Sequence, residues 1–358
     1  MPHMRIMFAT GQGGGHFGPL VPFARAFQHA GHEVLVAAPY SAAAMVERAG
    51  FAFHGLGEPH DRSAAWAPVF NGNGPGAAVV IPELFVGLDA RAALPRMLEL
   101  VEDHRPDLIV RETCEFASAV AAERFGVPLL DVGVHLDAAI DAGDGLADLA
   151  ADALDELGPH ALRRPRPVFT CAPPSLSTGD PEIERFRTET QPRVDRSLVY
   201  VSFGSEIRSP EPFIEAAHAL AGVPKPVLMT IGRHLDPADL GPLPANVRVE
   251  RWVPQAEVMP RTAAMVGHGG SGSTLQALAA GVPIAFLPRF VDGPANAQRV
   301  AALGAGIVAT SAAQVTELLL DVSYREAAER LAEEIRALPP VADAVSSAVR
   351  SAGCAFAR

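Results

Sequence analysis

Short apolar runs alternate with segments of helical periodicity along nearly the whole chain. A second such series follows the first, and both pack strands between helices, which builds parallel sheets covered on both faces. The sequence therefore predicts an α/β protein with two Rossmann-like, doubly wound parallel-sheet domains. The first series has strands at Arg5–Ala9, Glu33–Ala38, Leu108–Val110 and Leu129–Val134 and helices at 19–30, 41–49, 89–104 and 115–125. The second has strands at Leu198–Phe203, Val227–Ile231, Val247–Arg251, Ala264–Val266 and Ile284–Leu287.

The stretch 158–197 separates the two series and holds seven prolines without clear periodicity, which is typical of a linker. A chain of 358 residues exceeds the ~250–300 at which single cores stop growing, so two domains are predicted. They span 1–175 and 176–340, and a final helical segment, 341–358, is expected to cross back to the first. Ligands of such folds bind at the carboxyl ends of the strands, so the domains should face a cleft. The glycine- and proline-rich segment 55–82 predicts a mobile loop beside it.

Bulk composition narrows the class of function. The net charge of −12 argues against binding to nucleic acid or to an anionic membrane surface. No apolar run approaches the ~20 residues that span a bilayer, and the chain starts with a strand rather than a signal peptide, so a cytoplasmic location is expected. Cys114, Cys171 and Cys354 are odd in number and far apart in sequence, which predicts neither disulfides nor a zinc site.

Six aspartates recur at spacings of three and four in one predicted helical region. A metal cluster is one interpretation, but a solvated acidic helix face is favoured, because like charges at these spacings repel and prefer water. The six residues are Asp137, Asp141, Asp144, Asp148, Asp152 and Asp155.

The segment HGGSGST (268–274) joins a predicted strand to a short predicted helix. Glycines let backbone amides approach a ligand, and the unpaired amides at a helix start carry partial positive charge, so the segment predicts a phosphate seat. The chain has a single lysine, Lys225, and no GxxxxGK[ST] motif, which excludes the lysine-bearing loop of ATPases. A diphosphate site made of backbone, hydroxyl and histidine groups, without a metal, is the prediction.

A second glycine-rich turn, GGGHFG (13–18), matches the dinucleotide-binding fingerprint. The second predicted strand ends in Ala38-Pro39-Tyr40-Ser41, without the carboxylate that would hold an adenosine ribose. This absence argues against a nicotinamide cofactor. The turn instead draws attention to His16, which either caps a helix or is aimed into the cleft.

An acid at the same predicted sheet edge favours the functional interpretation of His16. Glu112 closes the strand that begins at Leu108, and Glu115 lies close behind it. A carboxylate that accepts one ring N–H fixes the histidine tautomer and raises the basicity of the other nitrogen. Glu112 is favoured as the partner, with Glu115 as the alternative.

In their order and spacing, the motifs resemble those of the antibiotic-type, nucleotide-sugar-dependent glycosyltransferases of the GT-B fold, bacterial relatives of the UDP-glycosyltransferases. On the first half, TGQGGGHFGPLVPFARAFQHAGHEV (10–34) and PDLIVRE (106–112) are similar to the acceptor-side segments of the family. This resemblance implies that His16 is the general base and Glu112 its acid partner. In many members the partner is aspartate, one methylene shorter.

On the second half, VSFGS (201–205), RWVPQ (251–255) and HGGSGST resemble the donor-side segments. The resemblance implies that Trp252 stacks on a pyrimidine, although a half-buried core tryptophan is the plain alternative. It also implies that the main chain at Val253 and the Gln255 amide read the base. The implied diphosphate contacts are Ser205, His268, Gly270, Ser271, Gly272 and Ser273.

Two departures from the family pattern concern the donor. Gln276 stands where many UDP-sugar members carry a glutamate that pairs with both ribose hydroxyls, and Asp292-Gly293 stands where they carry an Asp-Gln pair that grips the sugar. Both changes favour a dTDP-linked deoxysugar over UDP-glucose. Asp292 is retained as a candidate sugar contact.

The sequence therefore predicts a metal-independent, inverting glycosyltransferase without a cofactor. Its expected partners are a nucleotide-sugar co-substrate and a small natural-product acceptor, with a homodimer as one oligomeric state. Two alternatives stay open: a nucleotide-sugar epimerase, and a non-catalytic glycosyltransferase-like auxiliary protein. A product assay without acceptor separates the first, and joint retention of the motif residues argues against the second.

Overall fold

Two open sheets, each made of parallel strands, organise the protein in a computed structural model. The structure describes residues 3–58, 65–66, 79–142, 144–163, 166–177, 183–188, 194–289 and 292–356. We call the first sheet and the elements packed on it the first lobe, and the second sheet with its helices the second lobe. Most of the loop predicted at 55–82 falls outside the described residues, and its ends are ordered as a strand and a helix.

The first sheet has the strand order β3-β2-β1-β4-β5-β6-β7. The order reverses between β1 and β4, and Ala9 of β1 is in register with Arg111 of β4. The residues that follow these two strands therefore emerge side by side. The strands are β1 (Arg5–Ala9), β2 (Glu33–Pro39), β3 (Ala52–Leu56), β4 (Leu108–Glu112), β5 (Leu129–Val132), β6 (Val168–Thr170) and β7 (Ile183–Arg185).

Helices cover both faces of this sheet. α1 begins at Gly14 rather than at the predicted residue 19, because Gly13, at φ 101°, turns the chain into the helix. The helices are α1 (Gly14–His29), α2 (Ala43–Arg48), a π-helical segment (Val80–Ala90) that runs into α3 (Arg91–His104), α4 (Ala117–Phe125), α5 (Ala138–Ala142) and α6 (Asp144–Asp155). Single 3-10 turns lie at Tyr40–Ala42, Ala161–Arg163 and Pro174–Leu176.

The linker predicted at 158–197 is wrong in part. Its residues include β6 and β7, which extend the first sheet beyond β5. Each of these strands has three residues, too few to show a period in the sequence. The first sheet thus reaches Arg185, past the predicted domain limit at 175.

The second sheet has the order β10-β9-β8-β11-β12-β13 and contains one strand, β13, that the sequence did not predict. Its strands are β8 (Leu198–Ser202), β9 (Val227–Thr230), β10 (Val247–Glu250), β11 (Thr262–Gly267), β12 (Ile284–Phe286) and β13 (Gly306–Val308). Its helices are α7 (Glu211–Ala219), α8 (Gln255–Val258), α9 (Ser271–Ala279), α10 (Gly293–Ala302), α11 (Val315–Leu320) and α12 (Val322–Ala337). 3-10 turns lie at Pro237–Leu240, Met259–Arg261 and Ala312–Gln314.

The last helix, α13 (Asp343–Phe356), returns to the first lobe. Ala344 and Ala348 are fully buried in the core that contains Phe23 and Phe27 of α1. Ser347 Oγ also donates to Glu184 Oε2 at 2.5 Å. Apolar burial against α1 is what holds this helix on the first lobe.

The returning chain pairs with the end of the first lobe before α13 begins. Arg187 donates its backbone N–H to Pro339 O (2.8 Å), and Val341 donates its N–H to Arg187 O (3.0 Å). The Arg187 guanidinium adds a bond from Nη1 to Leu338 O at 2.6 Å. No helix of the described residues is long and apolar enough to cross a membrane.

Candidate active site

His16 and Glu112 meet at the carboxyl edge of the first sheet. His16 lies in the first turn of α1 and Glu112 ends β4, and the two strands β1 and β4 are neighbours. His16 Nδ1 lies 3.1 Å from Glu112 Oε1. The His16 side chain is 24% exposed whereas the carboxylate is fully buried, so the pair has one face open to a ligand.

Glu112 is held as a carboxylate by its surroundings. Its Oε1 accepts the backbone N–H of Gly11 (3.0 Å), and its Oε2 accepts that of Cys114 (2.7 Å). Burial raises the pKa of Glu112, but the charge of His16 and these hydrogen bonds outweigh it, so the pKa lies below its ordinary value. The structure therefore supplies a charged acceptor that fixes the tautomer of His16.

Glu115, the alternative partner, has a different role. Its Oε1 accepts the backbone N–H of Ala117 at 2.9 Å, and both oxygens lie against the N–H of Ser118. These amides belong to the start of α4. Glu115 caps that helix, and Glu112 is the partner of His16.

An aromatic side chain and a thiol border the pair. Phe85 stands edge-on to the His16 ring with 5.6 Å between centroids, and Trp66 lies 4.9 Å from Phe85. Cys114 has a ligand atom within 4.8 Å of those of His16 and Glu112. Burial, and then the charge of Glu112, raises the pKa of the Cys114 thiol well above its ordinary value, which disfavours the thiolate that a metal would need.

The HGGSGST segment forms the turn from β11 into α9. Gly270 precedes the helix with φ −60° and ψ 137°, and it has no side chain with which to cap the first N–H groups of α9. Gly269 has φ 92°, and a Cβ there would lie 2.5 Å from the Gly293 carbonyl oxygen. A glycine is required at this position because another backbone fills the space, and the helix start stays open to an anion.

The His268 ring is packed between two glycines. A Cβ at Gly270 would lie 2.5 Å from His268 Nε2, and one at Gly204 would lie 3.1 Å from it. Burial lowers the pKa of His268 more than the charge of Asp292 raises it, so the ring is neutral at neutral pH. His268 can thus offer a hydrogen bond to a ligand but not a charge.

Ser271 is engaged in a network rather than free. Its Oγ donates to Asp292 Oδ2 (2.6 Å) and accepts from Asn296 Nδ2 (3.2 Å). The Asn296 amide also donates to Gly269 O (2.7 Å) and to Asp292 Oδ2 (2.8 Å). Asn296, a buried residue that sequence reasoning missed, therefore ties the phosphate turn to the sugar-side loop.

Trp252 and its neighbours follow β10. The Trp252 side chain is 73% exposed, which excludes the half-buried core alternative and leaves an aromatic face for a ligand. Val253 packs its side chain against the second-lobe core. Gln255 begins α8, and its Nε2 donates to Tyr200 OH at 3.3 Å.

The other predicted donor residues lie at the same edge of the second sheet. Ser205 follows β8, and its Oγ donates to Glu206 Oε1 at 3.1 Å. Ser273 Oγ donates to Gly270 O at 3.2 Å. A Cβ at Gly272 would meet open space, and Gln276 is exposed on α9.

The two lobes touch at these edges. α1 contacts α9, and a Cβ at Gly13 would lie 3.9 Å from Glu206 Oε1. The carboxyl edges of both sheets therefore face one cleft, as the alternation of strands and helices predicted. His16 and Glu112 come from one side of it and the donor candidates from the other.

The acidic-face prediction is wrong for Asp141. Asp148 and Asp152 are exposed, as a solvated face requires, but Asp141 is 2% exposed. Its carboxylate accepts from His135 Nδ1 at 2.7 Å and from the Thr113 hydroxyl. The spacing rule failed here because α5 ends near residue 142 and a new helix begins, so the aspartates do not share one face.

Comparison with known proteins agrees with this geometry. Residues 216–350 match the C-terminal domain of the erythromycin biosynthesis protein CIII-like family. The chain is 30% identical to the L-demethylnoviosyl transferase of Streptomyces niveus over 92% of its length and 94% of that protein. It is 34% identical to the elloramycin glycosyltransferase of Streptomyces olivaceus over 68% of each chain.

Solved structures show the same architecture. The glycosyltransferase SnogD of Streptomyces nogalater is 27% identical, with a TM-score of 0.78 over 98% of this chain and 99% of that one. A glycosyltransferase of Streptomyces sp. SF2575, solved in complex with thymidine diphosphate, is 25% identical, with a TM-score of 0.80 over 97% of this chain and 100% of that one.

Proposed function

Because this chain belongs to the antibiotic glycosyltransferases of the GT-B fold, we propose that it moves a deoxysugar from a dTDP-linked donor to a small natural-product acceptor, with inversion at the anomeric carbon. The observation that carries the proposal is the pairing of His16 with Glu112 across a cleft from the start of α9, where a glycine occupies the N-cap. One lobe supplies a base and the other a seat for the departing diphosphate.

His16 removes the proton from the acceptor hydroxyl as the oxygen attacks the anomeric carbon. Glu112 accepts a hydrogen bond from Nδ1–H, so Nε2 is the basic nitrogen, and the buried carboxylate stabilises the imidazolium that forms. The carbon–oxygen bond to the diphosphate breaks on the opposite face of the sugar, and its electron pair leaves with the nucleotide. Attack from the face opposite the leaving group inverts the configuration.

The leaving diphosphate meets backbone dipoles instead of a required metal. The N-cap of α9 is a glycine, whose lack of a side chain leaves room at the first N–H groups, and the neutral His268 ring packs against that glycine. Pre-oriented dipoles of this kind stabilise charge that develops in the transition state. Added chelator should leave the rate unchanged, and a strict requirement for a divalent metal would contradict this account.

Two observations support a thymidine nucleotide. Gln276, exposed on α9, is a neutral amide that suits a deoxyribose with a single 3′-hydroxyl, and the exposed Trp252 offers a face for a pyrimidine. A 25%-identical relative has been solved with thymidine diphosphate bound. Asp292 is oriented by Ser271 and Asn296 and is the candidate contact to the sugar.

The acceptor would lie on the first lobe beside Phe85. The ring of Phe85 stands against His16 and against Trp66, so an apolar wall borders the base. Such a wall favours a small apolar acceptor that carries a hydroxyl group.

A thermal-shift panel of dTDP, UDP, GDP and NAD tests the donor assignment. A ligand that binds only the native state raises the melting temperature by mass action, so dTDP should give the largest shift. A shift with NAD alone would contradict the proposal and favour a dinucleotide at the 13–18 turn. Product analysis with a dTDP-sugar and no acceptor distinguishes transfer from epimerisation.

A further inference from the structure

The loop that follows β5 connects the two lobes. Leu136 donates its backbone N–H to Ser271 Oγ (3.0 Å) at the start of α9, and its side chain is buried among second-lobe residues. Asp137 forms an ion pair with Arg299 of α10 at 2.5 Å. His135 immediately precedes these contacts, so it lies where the first lobe meets the candidate phosphate seat.

Asp141 holds the His135 ring in place. Its Oδ1 lies 2.7 Å from His135 Nδ1, and its Oδ2 accepts the backbone N–H of His135 at 3.1 Å. A Cβ at Gly133 would lie 2.5 Å from Oδ2, so the loop is wrapped closely around the carboxylate. Within the described part of the chain, the hydrogen bonds of the ring use Nδ1, and the side chain keeps 16% exposure.

The charges around His135 favour its protonated form. Burial lowers the pKa of His135, but the charge of Asp141, their hydrogen bond and the charges of Asp292 and Glu112 raise it to about 9. The charged groups that face it are Asp141 from α5, Asp292 from the second lobe and Glu112 from β4, with His16 beyond Glu112. An imidazolium carries two N–H donors, so Nε2–H is left for a ligand.

We propose that His135 donates its Nε2–H to the diphosphate of the bound donor, so that the first lobe adds a cation to the diphosphate seat at the start of α9. A diphosphate at the start of α9 would also face Asp292, which is bonded to Ser271, and an imidazolium offsets the repulsion between them. The single lysine, Lys225, is engaged elsewhere. Its Nζ donates to Arg196 O at 2.7 Å, just before the first residue of β8 and thus at the opposite edge of the second sheet. This inference rests on the proposed function.

Titration calorimetry with dTDP and with thymidine tests the role of His135. If the thermal-shift panel selects UDP, the ligands are UDP and uridine instead. His135→Gln should weaken dTDP binding about ten-fold or more, the effect of losing one charge-assisted hydrogen bond, and leave thymidine binding unchanged. A second histidine–aspartate pair provides the matched control: His160 Nε2 lies 3.4 Å from Asp155 Oδ1 beyond α6, and His160→Gln should change neither affinity.

The pH dependence adds a second readout. Wild-type affinity for dTDP should fall as the pH rises through about 9, where His135 loses its proton, and the His135→Gln variant should lack that fall. Asp141→Asn removes the charge that contributes most to holding the proton, so it should weaken dTDP binding at pH ~8, as His135→Gln does.

Equal affinity of His135→Gln and wild type for dTDP would overturn the proposed role of His135 and leave the proposed donor site standing. Equal weakening of dTDP and thymidine would also overturn it, since that result marks a structural effect on the loop. If wild type binds neither dTDP nor UDP, the proposed donor site falls as well, and with it this inference.

Discussion

At the scale of single residues, the chemistry depends on a partly exposed imidazole whose partner is sealed from water. His16 keeps one open face because α1 starts immediately before it, while Glu112 is fixed by two backbone N–H groups. A carboxylate held by backbone N–H groups and sealed from water keeps the imidazole ring in one orientation. The proposed base is therefore oriented before any substrate arrives.

His16→Ala should lower kcat by about 10²–10⁴-fold, the usual contribution of a positioned general base. Nucleotide affinity should be unchanged, because His16 is not among the proposed contacts to the nucleotide. Steady-state kinetics combined with dTDP calorimetry measures both quantities. A variant that turns over at the wild-type rate would show that another group accepts the proton, and His29→Ala, at the other end of α1, is the control.

Gln276→Glu should move donor preference toward UDP-sugars. A carboxylate can accept from both ribose hydroxyls, whereas the amide suits the single hydroxyl of a deoxyribose. The ratio of kcat/KM for paired dTDP- and UDP-sugars should fall by several-fold. An unchanged ratio would remove the ribose argument. Gln298→Glu, exposed on α10, controls for added charge.

At the scale of elements, a buried ion pair joins two neighbouring strands beneath the His16–Glu112 pair. Arg111 of β4 and Asp131 of β5 are in register, and Nε and Nη2 of the guanidinium lie 2.8 and 3.1 Å from the two carboxylate oxygens. Arg166 also donates to Asp131, at 2.6 Å. The strand that carries Glu112 is thereby locked to its neighbour.

Asp131→Asn should destabilise the protein by roughly 3–5 kcal/mol, since it leaves a buried guanidinium without a countercharge. Denaturant unfolding of the variant measures the loss. Asp103→Asn, at an exposed site on α3, should change stability by less than about 0.5 kcal/mol. Similar stability of the two variants would contradict a structural role for the pair.

The sequence was informative where elements are long or motifs local. Strands β1, β2, β4 and β8 and the pairing of His16 with Glu112 followed from apolar runs and from the rule that parallel strands end at one edge. Strands β6, β7 and β13 have three residues each and carry no readable period. Asn296 acts through a contact with Gly269, 27 residues away, which single-sequence spacing does not encode. His135 and Asp141 are only six residues apart, but their pairing depends on the turn of the loop between them.

At the scale of the whole molecule, both lobes are needed to make one cleft. The candidate base comes from the first, the candidate diphosphate seat comes from the second, and α1 contacts α9 between them. Helix α13 binds the two together because it follows the second lobe in sequence but packs in the core of the first. A substitution that disrupts the packing of this helix should therefore lower the stability of the protein.

Ala348→Asp should destabilise the protein by roughly 3–5 kcal/mol, because it places an unpaired charge in the core of the first lobe. Ala342→Asp, exposed just before α13, makes the same chemical change at the surface and should be nearly neutral. Chemical denaturation compares the two. Equal stability would mean that α13 contributes little to the core.

The backbone pairing of Arg187 with Pro339 and Val341 has a mechanical consequence. Both polypeptide connections between the two lobes run side by side there, so they can act as a hinge between the lobes. Rotation of one lobe about this hinge keeps the two connections paired, whereas sliding one lobe past the other would break the hydrogen bonds between them. We expect substrate entry and product release to use this rotation, with the paired connections as its axis.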